Sequence, residues 1–136
     1  MVIGNIEGNV PKSHLLKKEI IGENGSIFVY LYIVEFENAI VASIYDKGVK
    51  LGSMSMGLPS NEVGIDSMSI FYGRDNQMAD GLALILSKKL NKIVYASVNV
   101  VQQTSFSIST IRELVDEYIK SKEVNLSDSM VSSKID

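Results

Sequence analysis

The sequence predicts an α+β fold, an antiparallel sheet of about six strands with two helices packed on one face and a pairing surface on the other. Three observations predict it. From Met78 the apolar residues fall at Met78, Leu82, Ile85, Leu86 and Leu90, the three-and-four spacing that lays one stripe along an α-helix. Ile108, Ile111, Leu114, Val115, Tyr118 and Ile119 draw a second stripe of the same kind. Ile27 to Phe36 is apolar on both faces of a strand, with Phe28, Tyr30, Tyr32, Val34 and Phe36 on one side and Ile27, Val29, Leu31 and Ile33 on the other. Two helices cover only one side of a sheet, so the other side needs a second sheet or a partner chain.

In chain order, residues 1–13 hold Gly4, Gly8, Asn9 and Pro11 without a sustained period and are expected to form a flexible lead-in. His14 to Ile21 is a first strand, with Leu15 and Leu16 on opposite faces and Lys17, Lys18 and Glu19 suited to a sheet edge. Glu23-Asn-Gly-Ser26 is a turn, because Asn and Gly accept positive φ cheaply, and it makes a hairpin with Ile27 to Phe36. Glu37-Asn38 turns the chain into Ala39 to Tyr45, antiparallel to its predecessor. Asp46-Lys-Gly48 turns it again, into a strand predicted from Val49 to Met56. There Met54 and Met56 flank Ser55 and share a face, as core filler in one reading and as an adaptable contact surface in the other.

Leu58-Pro-Ser-Asn61 breaks that strand, and Ser67 to Tyr72 is a short strand leading into the first helix. Asp75 and Asn76 are placed to accept free amide hydrogens at the helix start. Lys88 and Lys89 suit the negative end of its dipole, and Asn91 tolerates the left-handed conformation that ends helices. Ile93 to Val100 is rich in β-branched residues, as a strand crossing the sheet would be. Gln102 to Phe106 is a loop, and Thr110 with Glu113 reads as a capping box for the second helix, expected on the same sheet. The domain is expected to span residues 14–124, followed by a Ser-rich, aperiodic tail, 125–136, expected to be mobile.

Composition narrows the function. The chain has 136 residues, enough for one domain with a sizeable core, and no cysteine, which removes thiol catalysis, disulfides and cysteine-ligated metals. Its net charge of -3 speaks against a general footprint for nucleic acid. The first 25 residues lack the apolar core of a secretory signal and contain Glu7, and the apolar run from Ser26 is closed by Glu35 and Glu37 well short of the ~20 residues a membrane helix needs. The expected compartment is cytoplasmic or nuclear, with no membrane and no nucleic-acid partner.

Residues that could do chemistry are sparse. His14 is the single histidine, so neither a Ser-His-carboxylate grouping nor a two-histidine metal site forms within one chain. Neither G-x-x-x-x-G-K-[ST] nor G-x-G-x-x-G occurs. Asp66, Asp75 and Asp80 have no metal-loop spacing and read as solvated loop and helix-start carboxylates. No catalytic residue, metal or cofactor is expected, and the chain reads as a non-enzyme. The candidate binding residues are Tyr30, Tyr32, Val34, Met54 and Met56, with Arg74 as an interface anchor or surface ion pair, and Lys88, Lys89 and Lys92 as a grip for an acidic partner or as plain dipole compensation.

At Gly81-Leu-Ala83, Leu86, Lys89, Asn91-Lys92, Val94, Ser97 and Asn99, the run GLALILSKKLNKIVYASVNV resembles the proteasome assembly chaperone 4 family, with its Gly-Leu-Ala helix, Asn-Lys turn and Val-x-x-Ser-x-Asn strand. The upstream LYIVEFENAIVASIYDKGVKLGSMSMGLPS is similar in length and apolar placement, and the helix from Ser107 to Lys122 falls where the family has its last helix. Gly81 and Ala83 are also small in a way that lets a helix sit close to a sheet. The resemblance implies a non-catalytic chaperone that pairs with a proteasome assembly chaperone 3-like subunit and, as a heterodimer, binds a proteasome α subunit while the α ring of the 20S particle is built. The chain in isolation would pair with itself or be sticky. Residues before His14 and after Val124 depart from the shorter members, and nothing is carried onto them. The alternatives are a roadblock- or longin-like scaffold that homodimerises, and a small hydrolase using Asp66, Asp75 or Tyr72.

Overall fold

The computed structural model describes residues 9–22, 25–59, 67–101 and 106–135, with side chains described as far as residue 123. The elements are β1 (Lys12–Gly22), β2 (Gly25–Glu35), β3 (Ala39–Tyr45), β4 (Ser53–Gly57), β5 (Ser67–Phe71), α1 (Asn76–Leu90), β6 (Ile93–Asn99) and α2 (Ile108–Ile135). The fold is α+β: one sheet in the order β1-β2-β3-β6-β4-β5, antiparallel except for the parallel β3–β6 pair, with two helices. The parallel pair follows from the crossover, since β6 arrives through α1 and inserts between β3 and β4.

Alternation decides which side chains meet the helices. Val29, Leu31 and Ile33 of β2, Ile40, Ala42 and Ile44 of β3, and Val94, Ala96 and Val98 of β6 have no exposed surface. They join Leu82 and Leu86 of α1 and Ile111, Leu114, Val115 and Tyr118 of α2 in one apolar core. β4 reverses the usual size rule. Its small residues Ser53, Ser55 and Gly57 are buried while Met54 and Met56 are half-buried. The cause is a close helix: a Cβ on Gly57 would lie 2.2 Å from the carbonyl oxygen of Ala83, and Ala79 and Ala83 complete the contact surface of α1.

Several local expectations change. The strand predicted from Val49 starts at Ser53, because residues 46–52 must carry the chain past β6, which separates β3 from β4. Asp75 occupies the N-cap of α1, but its side chain makes no cap bond; its Oδ2 accepts the Val100 amide at 3.0 Å while its own amide donates to Ser53 Oγ at 2.9 Å. That pins the start of α1 to β4 and to the end of β6. Asn91 closes α1 in the left-handed conformation, φ 53°. The first turn of α2 begins at Ser107, whose carbonyl accepts from the Ile111 amide, so Thr110 lies inside the helix rather than at a capping box. The α2 backbone is helical to Ile135. Gly81 faces α2, not the sheet: a Cβ there would meet Ile108 Cδ1 at 2.6 Å. The turn residues Glu23 and Asn24 and the loop carboxylate Asp66 lie outside the described residues.

Candidate partner-binding face

With both helices on one side, the second face of the sheet is uncovered among the described residues. Register sets its composition. Val34 stands opposite Val41, Val41 opposite Tyr95, Tyr95 opposite Met56 and Met56 opposite Met68, an apolar row across five strands. A second row runs Leu15, Tyr32, Ser43, Ser97, Met54, Phe71. Phe28, Tyr32, Val41, Tyr95, Met68 and Phe71 are all more than a third exposed. Among the described residues of the strands, charge enters this face at its β1 edge, through Lys17 and Glu19, with Lys17 Nζ 4.2 Å from the centroid of the Phe28 ring, and Lys50 adds a charge on the loop after β3. Tyr, Phe and Met with little charge is the make-up of the buried centre of a protein interface.

The face has relief as well as composition. Residues 46–52 stand over it, held by the Gly52 amide donating to Ser97 Oγ at 2.9 Å. Val49 is 85% and Leu51 68% exposed on this loop. Between loop and sheet runs a groove of about 220 Å³ walled by Tyr32, Val34, Val41, Ser43, Tyr45, Val49, Lys50 and Leu51. It is below the ~300 Å³ at which small-molecule pockets begin, and suits one or two aliphatic side chains of another protein. Tyr30 and Tyr45 stack at its flank with ring centroids 5.5 Å apart.

Of the residues singled out from sequence, Tyr30, Tyr32, Val34, Met54 and Met56 come together on this face. The basic candidates do not join them, nor one another. Arg74 Nη2 donates to the Val100 carbonyl at 3.1 Å and lies 3.6 Å from Asp75 Oδ2, which makes it part of the α1 anchorage. Lys88 donates to the Pro59 carbonyl, Lys89 pairs with Asp116 of α2 at 3.5 Å, and Lys92 lines a separate cavity of about 620 Å³ with Lys12, Glu35 and Lys122. Sequence reasoning missed Val41, Tyr95, Met68, Phe71, Val49 and Leu51. The alternation of Ile93 to Asn99 placed Tyr95 opposite Val94 and was signal enough for that one; the others needed the strand order.

The polar groups of the core edge are structural. Glu35 accepts hydrogen bonds from Tyr118 and Lys122, and His14 Nε2 lies 3.1 Å from its Oε2. Burial alone would raise the Glu35 pKa, but the bonds from Lys122, Tyr118 and His14 outweigh it and hold the value at about 2. Burial, and then the bond to Glu35, push the Tyr118 hydroxyl well above the usual range. Asp80 accepts from Ser55 Oγ, and Asp75 from the Val100 amide. Among the described residues no group of three His, Cys, Asp or Glu side chains could hold a metal, and no helix is long and apolar enough to cross a membrane.

No protein-family model matches the chain, and no curated protein sequence matches it. Among solved structures the chain is similar to one from a chaperone complex for yeast 20S proteasome assembly, with 15% identity over 86% of this chain and 96% of that chain and a TM-score of 0.42.

Proposed function

We propose that this chain is a non-catalytic assembly chaperone that pairs through the open face of its sheet with a related, proteasome assembly chaperone 3-like subunit. The pair binds a proteasome α subunit during α-ring building, in the cytoplasm or nucleus. The observation that supports this is the open face itself, a charge-poor apolar surface of aromatic and methionine side chains with a groove sized for a partner's side chains. The resemblance of residues 81–100 to the chaperone family supports this choice of partner and client. Burial of Tyr32 and its neighbours would drive pairing, with the rigid aromatic rings as anchors.

The test is a pull-down of the full chain from native lysate with mass spectrometry, alongside light scattering of the purified chain. The expected outcome is recovery of a fold-related subunit together with proteasome α subunits, and self-pairing or aggregation when alone. A clean monomer at high concentration that binds no apolar dye and recovers no proteasome subunit would sink the proposal.

A further inference from the structure

The geometry points to the outer edge of β5 as a docking site for an extended, uncharged segment of another polypeptide, added to the sheet as a further strand. Among the described residues β5 is the last strand of the sheet and pairs only with β4. Its outer side therefore presents a row of backbone donors and acceptors that no strand among the described residues pairs. The opposite edge, β1, carries Lys12, Lys17, Lys18 and Glu19, the charges by which sheet edges are kept from pairing. β5, Ser-Met-Ser-Ile-Phe, has no charge and no proline. Its apolar residues are left in solvent: Met68 is 48%, Ile70 52% and Phe71 61% exposed, and the adjoining Tyr72 80%.

The strand states the chemistry of its occupant. An unpaired backbone row is matched only by another extended backbone, over about five residues or ~17 Å here. Met68 and Phe71 stand opposite Met56 and Met54 on the open face, so the added strand is apolar on that side. Ser69 stands opposite Ser55 on the helix side, where its hydroxyl donates to Asn76 Oδ1 at 2.8 Å, so there the added strand is small and polar. A second copy fits less well. The register shifts at Met54/Ser55, where Ile70 is the extra residue, so alternation along β5 breaks once. About a two-fold axis that break is met in both copies, and matched faces extend only over residues 67–69; a foreign strand meets it once. The same bulge and the shortness of β5 limit the addition to one short strand instead of open-ended stacking. This site stands whether or not the open face pairs with a related subunit.

The probe is a fluorescent eight-residue peptide of alternating valine and threonine with a lysine at each end, titrated into the full-length chain by anisotropy. Its counterpart carries N-methyl groups on the amides facing β5. The unmodified peptide should bind, and the methylated one should bind roughly tenfold more weakly or not at all, since two lost backbone hydrogen bonds suffice for that factor. The doubly substituted chain Met68→Lys/Phe71→Lys should lose binding while its thermal melt stays unchanged, because both side chains are exposed. Amide exchange should slow in residues 67–71 on peptide addition. Equal binding of both peptides, binding that survives the lysine substitutions, protection confined to β2 and β3, or no binding at all would each overturn the proposal.

Discussion

The two faces of the sheet are built from the same strands and obey opposite rules. On the helix side Val29, Leu31, Ile33, Ile40 and Ile44 are fully buried, and where α1 comes closest the residues shrink to Ser55 and Gly57. On the other side the residues one position along, Phe28, Tyr32, Val41 and Met56, are larger on average, aromatic or flexible, and partly wet. A face that has found its cover within the chain is packed tightly and aliphatic. The face left open carries rings and methionines, side chains that adapt to more than one surface. The difference means that neighbouring residues of one strand should respond to substitution in opposite ways.

The largest contrast is between Leu31 and Tyr32. Leu31→Asp would bury an unpaired charge, which costs several kcal/mol against a total stability of roughly 5–15, so the chain should not fold. Truncation within the same core, as in Leu82→Ala, should cost about 2–5 kcal/mol. Tyr32→Asp lies on the half-wet face and should leave the melting temperature near that of the parent while pairing is lost, because a charge would be desolvated at the contact. Circular dichroism melting with sedimentation of each variant separates these outcomes. Unfolding by Tyr32→Asp with Leu31→Asp still folded would mean that the faces are assigned in reverse.

A smaller effect, set by the helix side alone, is expected at Gly57. Gly57→Ala places a methyl against the Ala83 carbonyl, a backbone atom that moves only if α1 moves, and overpacking of this kind costs about 1–3 kcal/mol. Chemical denaturation should show that loss with pairing retained. If the variant is as stable as the parent, α1 does not sit as close to β4 as described.

Much of this was legible in the sequence. The strict alternation of residues 27–34 gave both faces of β2, the spacing from Met78 gave α1, and the two together implied an uncovered side. The alternation could not say which side the helices take, because both are apolar. β4 was less legible for a physical reason. Hydrophobic patterning assumes that large residues point inward, and here Ser53, Ser55 and Gly57 point inward because a helix of small residues lies on them. The same proximity redirected Asp75 from capping to bracing, and the insertion of β6 turned Val49 and Leu51 from strand into an exposed loop. Spacing placed Lys88, Lys89 and Lys92 together, whereas a helix end and the turn after it send side chains to different neighbours.

The edge of the helix side supplies a pH test. Glu35 ionises at about 2 in the folded chain against an ordinary value of 4.5. A depressed carboxyl favours the folded state above its unfolded pKa, so its contribution is complete above about pH 5 and fades as pH falls toward 2. Glu35→Gln should be less stable near neutral pH and should lose less further stability between pH 5 and 2 than the parent does. Parallel acid-melting curves for the two chains would show instead that Glu35 is not held by Lys122, Tyr118 and His14 in solution.

The smallest effect separates the open face from the basic end of α1. Lys89 and Asp116 are each about half exposed and 3.5 Å apart, a pair worth roughly 0–1 kcal/mol at most in water. Replacing Lys88, Lys89 and Lys92 together by Gln should therefore shift the melt slightly, through lost dipole compensation, the Lys89 pair and the exposed Lys88 bond to the Pro59 carbonyl. If pairing is driven by the apolar face, partner affinity should be unchanged and nearly independent of salt, as expected when no charge is buried at the contact. The measurement is affinity for the partner recovered from lysate, taken for parent and triple variant at low and high salt. A loss of tenfold or more that disappears at high salt would place an acidic partner on the helix end, and would make the open face a second contact instead of the principal one.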